Sequence, residues 1–83
     1  MSERNPLVEL AKRHVYEREQ RVLRQQRLIA ELELAGRHDA AHAARELLER
    51  LIELLDADKA HLELERRRDA ERQRGINQPR TPE

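Results

Sequence analysis

The chain has no cysteine, no phenylalanine and no tryptophan, and its one aromatic residue is Tyr16. Without cysteine there is neither a disulfide framework nor a thiolate metal site. Without Phe or Trp a core must be built from Leu, Ile, Val and Ala, which suits side-chain layers between helices. Only two glycines and three prolines interrupt 83 residues. No apolar run approaches the roughly 20 residues that span a bilayer, and the opening Met-Ser-Glu-Arg-Asn-Pro lacks the profile of a signal peptide, so a soluble, cytoplasmic protein is expected. Acids and bases balance at 17 each, which gives no overall pull toward nucleic acid or acidic lipid. A chain this short forms one small domain and buries a low fraction of its surface.

What is present is periodic. Charged residues make up 41% of the chain, but the apolar ones recur at helical spacing, which disordered chains lack. Asn5-Pro6 opens the first helix, Asn as cap and Pro at the position that has no use for an N–H. Val8, Val15, Val22 and Ile29 then repeat every seventh residue, with Ala11, Arg18, Gln25 and Leu32 three further on. Gly36 is placed to close the helix after Ala35 in the left-handed conformation, and Asp39 to cap the next one. The second seam reads Ala41, Ala44, Leu48, Leu51, Leu55, Asp58, Leu62, with Ala40, Leu47 and Leu54 beside it and Ile52 on the other flank. Past Leu64 the apolar signal stops, and helix is expected to fray by Arg74.

The expected fold class is therefore all-α: residues 1–5 a cap and tail, an antiparallel two-helix hairpin over 6–74 (helix 6–35, turn 36–39, helix 39–74), and a disordered tail over 75–83. Charge supports folding back. Residues 12–27 hold six bases against two acids. A turn at 36–39 sets residue i beside roughly 75 − i, so the facing segment is 48–63, with five acids against two bases. Opposite signs meet only in a hairpin. The same register brings together Arg18 and Asp58, which either form a polar layer that specifies register or reach sideways to water. Gln25 falls opposite Leu51, and either hydrogen-bonds within a second interface or snorkels.

The apolar arc is wider than one neighbour can cover. Leu7, Leu10 and Leu28 lie beside the first seam, and Leu47, Ile52 and Leu54 beside the second. Arcs of that width mark an interface, and the coiled-coil-like hairpin is expected to dimerise into a four-helix bundle. A foreign helical partner would serve the same surface. No cofactor is expected. His14 and His61 fall at one height and could hold a metal with help from Asp58 or Glu65, but no His-Glu-x-x-His or Glu-x-x-His spacing accompanies them, so rim packing is the preferred reading. The run Arg66–Arg74 carries five Arg against Asp69 and Glu71. It could meet phosphates, though a solvated helix end fits a neutral chain without stacking aromatics better. No catalytic constellation or phosphate loop is visible, and a non-enzymatic interaction module is expected. The alternative is a small regulatory or nucleic-acid-associated protein that uses the Arg-rich end.

One run has a familiar look: His14-Val15, Glu19, Arg21-Val22, Arg24-Gln25, Leu28-Ile29, Leu32, Gly36, His38-Asp39, Leu47-Leu48 and His61-Leu62. It resembles a group of small helical proteins of GC-rich alphaproteobacteria, which share a His-Val…Arg-Val…Arg-Gln helix, a Gly-His-Asp turn and a Leu-rich second helix ending in His-Leu. The likeness spans about residues 10–65. Here Arg37 splits the turn, and Asp58 stands where a histidine often appears, which counts further against a metal site. The resemblance implies a bacterial helical hairpin and no reaction.

Overall fold

The computed structural model describes residues 5–77. Two helices account for it: α1, Pro6–Leu34, and α2, His38–Asn77. They pack on each other along their length, giving an all-α antiparallel hairpin about 60 Å long, the length of α2. No helix among the described residues is long and apolar enough to cross a membrane.

Asn5 starts α1 as its sequence position suggests. Its backbone is extended, its side chain accepts from the Leu7 N–H at 2.9 Å, and Pro6 follows. At the other end Gly36 takes φ 73°, the one positive φ among the described residues. The Gly36 N–H donates to Glu33 O at 3.0 Å and the Arg37 N–H to Leu32 O at 2.9 Å. This reciprocal pair of bonds satisfies carbonyls that the end of α1 would otherwise leave open.

The start of α2 differs from expectation by one residue. The Arg37 carbonyl accepts from the Ala41 N–H at 2.9 Å, so Arg37 is the cap and Asp39 already sits inside the first turn. The physical reason is economy of chain: Arg37 supplies the last N–H that closes α1 and the first carbonyl of α2. Asp39 still contributes there, because a carboxylate in the first turn complements the helix dipole.

The far end of α2 also departs from the expected stop at Arg74. The helix passes through Gly75 to Asn77, so residues 75–77 belong to it rather than to a tail. Glycine within a helix costs only about 1 kcal/mol relative to alanine, less than the run of good helix formers before it supplies. Expectations for residues 1–4 and 78–83 lie outside the described residues.

The two glycines should respond oppositely to alanine. Neither has an atom within 4 Å of the added methyl, so backbone conformation alone decides. Gly36→Ala forces a side chain into the left-handed region and should destabilise by about 1–2 kcal/mol. Gly75→Ala should raise helicity and never lower the melting temperature. Thermal unfolding followed by circular dichroism reads both, each kcal/mol corresponding to roughly 4–8 °C in a chain this size.

Candidate interaction surface

The intramolecular seam follows the heptad positions. From Val8 to Leu32 on α1 and from Ala41 to Asp69 on α2, every seam residue is buried or half-buried. The deepest are small, Ala11, Ala41 and Ala44, together with Leu51 and Ile29. Small side chains let the helix backbones approach, and that leaves room for polar groups between them.

Those polar groups tie the hairpin at intervals. Midway, Arg18 Nε donates to Asp58 Oδ2 at 2.9 Å, with the two side chains 24% and 19% exposed. The pair forms a polar layer and does not reach outward to water. Gln25 corrects the expectation drawn for it. It is buried, and its Nε2 donates to the Ala44 carbonyl at 2.9 Å, about two helical turns away from Leu51. It neither snorkels nor is left over for a second interface. The long side chain lies along the seam, and alanine's missing bulk opens the carbonyl to it. Near the turn, Arg45 bridges to Glu33. At the open end, Asn5 Nδ2 donates to Asp69 Oδ1 at 2.9 Å.

Glu65 was visible in the sequence only as a possible ligand, and the structure gives it another place. It is 4% exposed and continues the 3-4 spacing of the α2 seam beyond Leu62. In the register of Arg18 and Asp58 it falls at the height of Ala11, the smallest residue on the facing seam. Its Oε1 accepts from Arg68 Nη1 at 3.3 Å, while Oε2 has no partner. The signal that could have found it is the period itself, which runs on through Glu65 and Asp69 after the apolar residues end.

Leucines stand outside the seam. Leu7, Leu10 and Leu28 of α1 and Leu47, Leu54 and Leu64 of α2 are all 42–50% exposed. Each lies one residue before a seam residue, and so on the same flank of its helix. Because both helices are right-handed and run in opposite senses, those two flanks form one broad face of the hairpin. Five of the six expected interface residues share that face. Leu64 joins them. Ile52 follows its seam residue and lies on the opposite face, with Tyr16 and Leu23, where the Glu33–Arg45 bridge also runs.

Between the two leucine groups the face is polar. His14, Glu17, Arg18, Arg21 and Asp58 line a shallow depression there. His14 and His61 are both exposed. Among the described residues no three His, Asp or Glu side chains are placed to hold a metal ion together. Comparison adds no relative to set beside this geometry: no family model, curated protein or solved structure matches the chain.

Two substitutions test the polar seam. Asp58→Ala should destabilise by roughly 1–3 kcal/mol, the usual loss when a charged hydrogen bond is broken and its partner left unpaired. With Arg18→Ala already in place its effect should shrink well below that, as a double-mutant cycle in urea would show. Glu65→Leu should stabilise by about 1–3 kcal/mol, since it removes a buried carboxylate oxygen that no donor satisfies. A loss of stability would mean that the carboxylate is satisfied in solution.

Proposed function

We propose that this chain is a non-enzymatic helical interaction module that self-associates, two hairpins closing their leucine faces into a coiled-coil-like four-helix bundle. The observation that carries the reading is the row of six half-exposed leucines on one face. A full leucine burial is worth about 1.5–3 kcal/mol, so hiding the exposed half contributes about 1 kcal/mol each. Twelve such leucines in a homodimer supply on the order of 10 kcal/mol. That falls within the 4–15 kcal/mol that association costs in lost freedom, so additional complementary contacts decide the affinity. We further place the module among the alphaproteobacterial hairpins that it resembles, and with them in a bacterial cytoplasm; the matching residues from His14-Val15 to His61-Leu62 support that placement.

A second reading has its own observation. Arg66, Arg67, Arg68, Arg72 and Arg74 are all exposed on one end of α2, which suits a regulatory protein that touches nucleic-acid phosphates. Titration with bulk DNA or RNA at rising salt separates the two readings. The phosphate reading requires binding that weakens linearly in log salt, and the interaction module requires none.

Self-association is read by sedimentation equilibrium. The unmodified chain should sediment as an oligomer at tens of micromolar. Leu47→Glu with Leu54→Glu should split the assembly or unfold it, because a hairpin monomer has little core of its own. A folded monomer across that concentration range would remove the proposal.

A further inference from the structure

Two histidines stand inside the leucine row. His14 and His61 each come one residue before a seam residue, Val15 and Leu62, so both belong to the leucine face, and both are exposed. Leu7, Leu10 and Leu64 lie on the open-end side of them, and Leu28, Leu47 and Leu54 on the turn side. A contact that covers both leucine groups therefore covers the two imidazoles as well.

The charges around them are already matched. On the α1 side Arg18 is held by Asp58, and Glu17 and Arg21, one helical turn apart, offset each other. On the α2 side Asp58 answers Arg18, and Glu65 accepts from Arg68. Lys12, Glu19, Lys59 and Glu63 follow seam residues and belong to the opposite face. Glu65 Oε2, four residues on from His61, is the one open acceptor, and His61 does not reach it. Neutral imidazoles suit this surface, and imidazolium ions add charge that nothing answers.

Two helices, each about 10 Å across, share the 29 residues of α1. Their face is on the order of 800 Å², one partner's share of a standard interface, which suits a second copy of this chain. What that copy sets opposite the imidazoles is basic whichever way round it lies. With the turns together, His14 meets His61 of the other copy. With the turns at opposite ends, the imidazoles meet Arg24 and Arg50 of the other copy, which stand about as far to the turn side of the middle.

We propose that self-association through the leucine face is gated by protonation of His14 and His61, the two hairpins holding together while the imidazoles are neutral. The proposal rests on the self-association reading and adds its regulation. Histidine is the side chain that changes charge near neutral pH. In separated hairpins the imidazoles face water and charge freely. In the dimer each added proton is a desolvated charge set against like charge. Separated hairpins bind more protons than the dimer, so by linkage the dimer is fully favoured above the histidine range and loses stability as pH falls through it. At pH 5.5, about one unit below a histidine's ordinary 6.5, each imidazole that the dimer keeps neutral raises Kd about tenfold.

Sedimentation equilibrium at pH 8 and pH 5.5 tests the gate, with circular dichroism at both to follow the helices. Ordinary carboxylates stay ionised over this range. For the unmodified chain the ratio of Kd at pH 5.5 to Kd at pH 8 should exceed about ten, the effect of a single imidazole, while the hairpin stays helical. In His14→Gln with His61→Gln that ratio should fall to near one, whatever the Kd at pH 8, and either substitution alone should give a ratio in between. His38→Gln with His42→Gln, at the turn, should keep the ratio of the unmodified chain. A ratio below about ten for the unmodified chain, or an acid response that survives in the 14/61 variants or travels with His38 and His42, would overturn the gate and leave self-association standing. A monomer at pH 8 would sink the gate and the self-association reading together.

Discussion

A helix in a hairpin has one neighbour, so everything this chain buries by itself passes through a single seam, and that seam carries Arg18 and Asp58 at its middle. A partly buried ion pair adds little net stability, because desolvating both charges offsets most of their attraction. Separating the pair is what costs. Sliding one helix by a turn would leave two charges facing alkyl groups, at several kcal/mol. The pair therefore fixes how the helices are set against one another more than how firmly. The Gln25 amide on the Ala44 carbonyl and the Asn5–Asp69 contact repeat the constraint toward each end, in a seam whose deepest members are mostly alanines.

The seam departs from the usual order of a small helical domain, in which large apolar side chains fill the intramolecular contact and polar ones face water. Here Leu32, Leu48, Leu51, Leu55 and Leu62 share the inner seam with alanine, valine and polar residues, while six further leucines flank it half-exposed. A hairpin so built is well specified and weakly held. Glu65 sharpens the point: a carboxylate oxygen without a donor, at the height of Ala11, lowers the stability of the inner seam where a leucine would have raised it.

Much of this was legible in the residues, and the failures share a cause. Gly36 gave away the turn because few other residues accept a positive φ, and the height of Arg18 against Asp58 followed from counting back across it. Asp39 misled because cap propensity describes an isolated helix start, whereas here the residue closing α1 was already in place to begin α2. Gln25 was assigned to the wrong neighbour because a long side chain turns along the seam, and its contact lies about two helical turns from the residue that counting back sets opposite it. Glu65 escaped because a seam traced by apolar residues ends where those residues end, though the backbone geometry continues. Gly75 was read as a stop, yet a glycine halts a helix only when it takes the left-handed conformation, and this one does not. The six leucines were mostly found, but their gathering on one face needed the handedness of both helices together.

Asn5 joins two scales of structure in one side chain. Its oxygen holds the Leu7 N–H, and its nitrogen holds Asp69 across the gap. Unwinding the first turn of α1 and parting the open ends are consequently one motion. Amide protons in that turn should exchange with solvent in step with those around Asp69 on the facing helix, as a single cooperative unit, where two independently fraying helix ends would each keep their own pace.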